Sequence, residues 1–333
     1  MRIERGTFNK FLFLREYLCY HKFMTDFKHY TVMKNEAVDA LNCTNGKVIV
    51  DATLGGGGHS ELILQRISPN GRLISFDIDD EAISAAKERL KDYKNLTVVK
   101  SSYVNVKEVL SGLGINKIDG ILFDLGASYH QLTKQERGFS FMKEAPLDMR
   151  FDTDAEITAF DVVNNYSEDD LIRIFSQYGE ERFSKRIAKA IVSRRKVSTI
   201  KTTTELSDLI VSSVPKIKSN IHPSTRVFQA IRIEVNQELQ NIKSALENVL
   251  DIIAFDGIIS VISFHSLEDR IVKQTFKYYS TRCHCDKTQM ICNCPPPVLE
   301  LVNKKPIIAS NDEIVANPPS RSAKLRIARC IRK

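Results

Sequence analysis

A run of four glycines at residues 55–58 is the clearest chemical signal in the chain. It follows an apolar, β-branched run at residues 47–50 and precedes a helical pattern at residues 61–67. Glycine adopts positive φ and has no Cβ, so a ligand can approach the backbone closely. The first N–H groups of the following helix are also free to bind a ligand. Because a plain β–α turn does not need four glycines, we interpret the run as a ligand-binding loop.

Carboxylates follow the first two predicted strands. Asp51 ends the first, and Asp77 ends the second at residues 72–77. A carboxylate in the position of Asp77 accepts hydrogen bonds from ribose hydroxyls, both in NAD sites and in S-adenosylmethionine (SAM) sites. The loop matches the NAD pattern G-x-G-x-x-G poorly, because Ser60 replaces the third glycine, and Asp51 is more typical of a SAM loop. These residues predict a nucleoside cofactor without choosing between the two.

Alternating strand and helix patterns surround these residues. Two further strands are predicted at residues 96–100 and 118–125, with helices at 81–93 and 106–113. This alternation predicts an α/β fold with a doubly wound parallel sheet. Ligands in such sheets lie beyond the carboxyl ends of the strands. The residues at these ends are Asp51, Asp77, Tyr103 and Asp124.

After Asp124 the pattern becomes helical, from about residue 133 to 221. Residues 182–201 contain eight basic side chains and no acidic one, while Phe183, Ile187 and Ile191 mark an inward helix face. The basic face is either solvated surface or a nucleic-acid contact.

One long helix is predicted at residues 227–253, and it leads to a strand at residues 257–262. His265 follows this strand and is either structural or catalytic.

Cys283, Cys285, Cys292 and Cys294 form two C-x-C pairs. Four thiolates can hold zinc in a tetrahedron, but zinc sites more often use C-x-x-C. The alternative is a loop with reduced thiols, and we assign no metal ligand.

The chain has 333 residues, a net charge of +7 and no apolar run of the ~18 residues that a membrane span needs. We find no export signal. We interpret the protein as cytoplasmic, with its seven cysteines reduced and no membrane association. Residues 1–26 are interpreted as an N-terminal extension, either disordered or added by an upstream start codon, with Met24 as the alternative start.

Several long strings resemble the bacterial 16S rRNA cytosine-N4 methyltransferase family RsmH, also known as MraW. The resemblance runs from about Phe27 to Arg332. The strings are HYTVMKNEAVDAL (29–41), DATLGGGGHS (51–60), DLGAS (124–128), ERGFSFMKEAPLDMR (136–150), RVFQAIRIEVNQEL (226–239), ISFHSLEDR (262–270) and SRSAKLR (320–326).

The resemblance implies a class I SAM-dependent methyltransferase, a Rossmann-like sheet domain with an inserted helical substrate-recognition domain. The methyltransferase domain would occupy residues 27–132 and 222–333, and the insertion residues 133–221. The implied cofactor contacts are Gly57, Gly58, His59, Asp77, Tyr103, Asp124 and Gln131. Tyr103 replaces the usual phenylalanine, and stacking on adenine survives that change. Tyr129 and His130 replace a serine and a proline, which alters the lip of the site.

The implied reaction is N4-methylation of a cytosine in the decoding region of 16S rRNA, with the small ribosomal subunit as partner. The exocyclic amine of cytosine is a poor nucleophile, so it needs in-line placement and hydrogen-bond acceptors. Asp124 is our candidate catalytic residue. Two other functions stay open: a SAM-binding ribosome-assembly factor without essential catalysis, and a small-molecule methyltransferase. The sequence leaves monomer and dimer equally open.

Overall fold

The computed structural model describes residues 31–126, 135–216, 221–285 and 292–333. The chain divides into residues 1–31 and a second unit, Val32–Lys333. The described residues of the second unit form one sheet flanked by helices and a separate group of helices.

The sheet contains eight strands among the described residues. They are β1 Val48–Asp51, β2 Arg72–Asp77, β3 Leu96–Lys100, β4 Ile118–Asp124, β5 Ile253–Ser263, β6 Leu299–Leu301, β7 Ile307–Ile308 and β8 Lys324–Cys330. Their order is β3-β2-β1-β4-β5-β8-β6, and β7 also pairs with β8. Strands β1 to β5 are parallel, and β8 runs antiparallel to β5, β6 and β7. The predicted parallel sheet is therefore confirmed, with an antiparallel edge.

The described residues contain twelve α-helices, some on the two faces of the sheet and the others in the separate group. They are α1 Lys34–Ala40, α2 Gly58–Ile67, α3 Asp80–Arg89, α4 Val106–Gly112, α5 Ala159–Asn165, α6 Glu168–Gln177, α7 Ser184–Arg195, α8 Thr203–Ser213, α9 Ser224–Val235, α10 Glu238–Ile252, α11 Ser266–Ser280 and α12 Asn311–Ala316. Ile49 of β1 packs in a cluster with α1, α2 and α3. Val50, its neighbour, packs with α4, α10 and α11. Alternate side chains of one strand thus enter opposite cores, as a doubly wound sheet requires.

The single long helix predicted at residues 227–253 is wrong. The chain forms α9 and α10, separated at Asn236 and Gln237, and Gln237 has φ of 50°. The Asn236 side chain accepts from Phe151 N at 2.6 Å and donates to Met149 O at 2.8 Å. The break therefore belongs to a tertiary contact with a distant loop, which helical periodicity does not reveal.

A third apolar cluster lies in the helical region. It contains buried residues of α5 to α9, from Leu147 to Val235, whereas α10 packs against the sheet. We therefore propose that the helical region extends to Val235, beyond the boundary at residue 221 that the sequence predicts.

In α7, Ile187 and Ile191 are buried as expected. Most of its basic side chains are exposed, which agrees with the predicted amphipathic pattern.

Candidate active site

The glycine run forms the turn between β1 and α2. Gly55 has φ of 48° and Gly57 φ of 77°, both in the left-handed region. A Cβ on Gly57 would also lie 3.2 Å from Leu90 Cδ1, so this position needs glycine for backbone and for space. Gly57 caps α2, whose first residues are Gly58 and His59. The first N–H groups of α2 therefore lie beside the carboxyl ends of the strands.

Asp77 holds the glycine turn in place. Its Oδ2 accepts from Gly55 N at 2.8 Å. Its Oδ1 accepts from Ile78 N at 2.8 Å and from Asp79 N at 3.0 Å. Burial raises the pKa of Asp77, and these hydrogen bonds oppose the rise. A carboxylate has about four acceptor sites, so Asp77 can still accept from a ribose hydroxyl.

Asp51 lies beneath the turn and is fully buried. Its Oδ2 accepts from Ser60 Oγ at 2.7 Å, and its Oδ1 from Thr53 N at 3.2 Å. Ser60 Oγ also lies 2.9 Å from Ser75 Oγ. Burial raises the pKa of Asp51 to about 7, and the Asp77 carboxylate adds a smaller increase. This carboxyl therefore keeps its proton to a higher pH than an exposed aspartate does.

The raised pKa makes a stability prediction for Asp51→Asn. The folded state holds the Asp51 proton up to a pKa of about 7, against an ordinary value of 3.8. The bound proton makes its full contribution to the free energy of unfolding below about pH 4. This contribution falls by up to about 4 kcal/mol as the pH rises to 7. Asparagine is always neutral and can hydrogen-bond Thr53 and Ser60. We expect urea unfolding to show the variant gaining stability relative to the wild type between about pH 4 and pH 7. A difference independent of pH would contradict this.

Asp124 ends β4 on the other side of the turn. Its N–H donates to Thr53 Oγ1 at 2.7 Å. Its Oδ1 is buried and has no hydrogen-bond partner among the described residues. Burial raises the pKa of Asp124 well above its ordinary value, and the Asp51 carboxylate raises it further. A buried acceptor without a donor is costly, so Oδ1 is suited to receive a donor from a ligand.

His59 and Asp124 face each other across the site. His59 Nε2 lies 3.1 Å from Val32 O, and Nδ1 lies 3.7 Å from Asp124 Oδ2. A carbonyl can only accept, so Nε2 carries the hydrogen. Nδ1 then meets a carboxylate oxygen, which is favourable only if His59 or Asp124 is protonated.

Tyr103 lies in a one-turn 3₁₀ helix after β3, at the same edge of the sheet. Its ring meets Phe123 edge to face, with centroids 5.7 Å apart. Burial raises the pKa of Tyr103, with Glu238 and Glu268 adding to the effect, so the phenol stays neutral. Gln131, with Tyr129 and His130, lies outside the described residues.

Sequence reasoning missed a buried group of charges near Tyr103. Arg232 donates from Nε and Nη2 to the two carboxylate oxygens of Glu238, at 2.8 and 2.9 Å. Glu268 Oε2 accepts from Phe264 N at 2.8 Å and from His265 N at 3.1 Å. The sequence did point to these residues, because they lie in two of the strings that carry the family resemblance, RVFQAIRIEVNQEL and ISFHSLEDR.

His265 has a structural role at the start of α11. It forms a capping box with Glu268, in which each side chain accepts from the backbone of the other residue. Of the two interpretations of this histidine, the cap is the one that the contacts support.

None of the helices in the described ranges has the length and hydropathy to cross a membrane.

The profile of the MraW methylase family matches residues 26–331. Ribosomal RNA small subunit methyltransferase H of Caldicellulosiruptor bescii is 55% identical over 303 residues, covering 91% of this chain and 99% of the relative. The protein of that name from Clostridium botulinum strain Loch Maree is 49% identical over 308 residues, covering 92% and 100%.

A solved rRNA methylase from Streptococcus thermophilus aligns over 92% of this chain and 100% of that chain, with 10% identity and a TM-score of 0.41. The sheet order, the helices on both faces and the glycine turn after β1 make the fold that of a class I SAM-dependent methyltransferase. The chain belongs to the MraW methylase family.

Proposed function

We propose that the protein transfers the methyl group of SAM to the N4 amine of a cytosine in the decoding region of 16S rRNA. Membership of a methylase family and relatives named for small-subunit rRNA support the reaction class and the substrate. The observation that carries the proposal is the buried Asp124 Oδ1, which has no hydrogen-bond partner in the described part of the chain, at the edge where the glycine turn and Asp77 meet.

The residues at this edge fit SAM. Asp77 would accept from the ribose hydroxyls, and the N–H groups of Gly58 and His59 would bind the carboxylate of the cofactor. The ring of Tyr103 offers an apolar face for adenine. Gln131 is proposed as a further contact from the resemblance. SAM supplies a methyl group made electrophilic by the positive sulfur.

Asp124 would act on the amine of the target cytosine. Its Oδ1 accepts a hydrogen bond from N4–H, which draws the nitrogen lone pair out of the ring and toward the methyl carbon. The amine nitrogen would take up the methyl group that SAM supplies and would release one proton. The His59–Asp124 pair can take that proton. A base in folded RNA must first turn out of its stack to reach this buried position.

We propose that the exposed basic face of α7 binds rRNA phosphates. Lys185, Arg186 and Lys189 are all exposed on this helix. Arg195 is different, because its guanidinium donates to Val163 O at 2.7 Å and to Tyr166 O. Arg195 is therefore held by backbone carbonyls and is not part of the exposed basic face.

Replacing Lys185, Arg186 and Lys189 together by glutamine should weaken binding to small ribosomal subunits. The plot of log affinity against log salt falls with a negative slope, and each phosphate contact adds somewhat less than one to its steepness. Losing three contacts should therefore make the slope shallower by about 2. Filter binding across a salt series measures this slope, and SAM affinity should stay unchanged.

A matched control changes Lys87, Lys91 and Lys94 to glutamine, which removes the same charge from an exposed part of the sheet domain. This control should keep the wild-type slope. Equal slopes for both triple variants and the wild type would show that the α7 face is only solvated surface.

The direct test uses small ribosomal subunits from a strain that lacks this gene. The subunits are incubated with the protein and SAM, and the 16S rRNA is digested and analysed by mass spectrometry. We expect one N4-methylcytidine in the decoding region. Methyl transfer to another atom or region would overturn the assignment. Binding of SAM and of subunits without transfer would instead support the assembly-factor alternative.

A further inference from the structure

Four cysteines outside the candidate active site come together in the loop between α11 and β6. Val298 N donates to Tyr279 O at 2.9 Å and closes the base of this loop. None of its described residues, 281–285 and 292–297, is fully buried. The described part of the loop therefore has no apolar core of its own to bring the thiols together.

The distances between the sulfur atoms suit a shared cation. All four Sγ atoms lie within 4.8 Å of one another. Cys285 Sγ is 3.4 Å from Cys294 Sγ, and Cys283 Sγ is 3.6 Å from Cys292 Sγ. A disulfide needs about 2.05 Å. Zinc–sulfur bonds of about 2.3 Å give a tetrahedron with edges of about 3.8 Å, close to the observed spacing.

A backbone N–H points at one of the four sulfur atoms. His284 N donates to Cys294 Sγ at 3.2 Å, a contact that stabilises negative charge on sulfur. The His284 ring stacks on Tyr278 of α11, with centroids 4.1 Å apart and planes at 21°. The ligand atoms that come within 4.8 Å of one another are the four sulfur atoms, so they make up the ligand set.

We propose that Cys283, Cys285, Cys292 and Cys294 bind one Zn²⁺ ion as four thiolates. Each thiol releases its proton when the metal binds. Four protein ligands leave no open position for water or substrate, which is the coordination of structural zinc. The length of α11, about 22 Å for its 15 residues, separates the cluster from the His265 end of the helix. The ion therefore fixes the loop and takes no part in methyl transfer.

This proposal reverses the sequence interpretation, which assigned no metal ligand. C-x-C spacing alone is a weak zinc signal. The added observation is spatial, because the loop brings all four sulfur atoms within 4.8 Å of one another.

The test is the metal content of full-length protein without an affinity tag, purified in reducing buffer. Elemental mass spectrometry should find about one zinc per chain. The double variant Cys283→Ser/Cys292→Ser should lose it, and Cys43→Ala, which changes a cysteine outside the cluster, should keep it. Protein reconstituted with Co²⁺ should show sulfur-to-cobalt charge-transfer bands and the visible absorption of tetrahedral cobalt.

Wild-type protein alone can refute the proposal, even if the double variant fails to fold. Zinc-free protein from zinc-supplemented cells, with no cobalt–thiolate absorption, would overturn it. An intact mass lower by four hydrogens would show two disulfides instead. Stoichiometric iron would overturn the choice of metal. Conversely, blocking the thiols with a mercurial reagent should release the zinc to a chelating dye.

Discussion

Asp124→Asn is expected to lower kcat for rRNA methylation by about 10²–10³-fold, the usual effect of removing one preorganised contact to a transition state. The amide keeps the size of the side chain. The amide cannot take up a proton from the reacting amine. One of the two carboxylate oxygens, which are acceptors, is replaced by an NH2 group, which is a donor. Because the amine contact strengthens during transfer, we expect the affinity for SAM to fall by less than about tenfold.

Single-turnover kinetics and calorimetry separate the two roles of Asp124. A variant with normal kcat at saturating SAM but much weaker SAM binding would make Asp124 a cofactor contact only. Asp251→Asn is the matched control, since Asp251 pairs with Lys107 at 2.7 Å on the surface. This control should keep both kcat and SAM affinity.

Asp77→Ala is expected to weaken SAM binding by about 30- to 1000-fold, which corresponds to 2–4 kcal/mol. Two effects contribute. The ribose loses its acceptor, and Gly55, Ile78 and Asp79 lose the carboxylate that fixes their N–H groups. The glycine turn then samples other conformations, so part of the binding energy is spent on ordering it.

Asp119→Ala controls for the loss of such backbone contacts. Asp119 Oδ2 accepts from Val48 N at 2.8 Å, near the opposite ends of β1 and β4. This variant should lose stability and keep its SAM affinity. Calorimetry on a folded Asp77→Ala protein that still binds SAM normally would rule out the proposed ribose contact.

The sheet could be predicted because its strands are short apolar runs and polar residues follow them directly. Asp51, Asp77 and Asp124 each stand at the end of a strand, and parallel pairing then brings them to one edge. The break before α10 could not be predicted in this way. Apolar residues keep helical spacing through Asn236 and Gln237, and the chain has neither glycine nor proline there.

Contacts between distant segments account for the rest of what sequence reasoning missed. Arg195 looked free because its carbonyl acceptors lie on α5 and just beyond it, some thirty residues earlier. The Arg232–Glu238 pair depends on the same unpredicted break between α9 and α10. The cysteine cluster depends on how one loop closes. Each of these features needs a distance in space that spacing along the chain does not provide.

The pairing of β4 with β5 has a consequence for biosynthesis. Ile121 pairs with Ile259, so the ribosome completes β4 long before its partner strand emerges. Until then β4 exposes an unpaired edge, which is prone to aggregate. The helices α5 to α9 are made in this interval, and they share an apolar cluster of their own, so they can fold before β5 emerges. Substitutions that slow folding of these helices should therefore lower the yield of soluble protein in cells more than they lower the stability of the finished molecule.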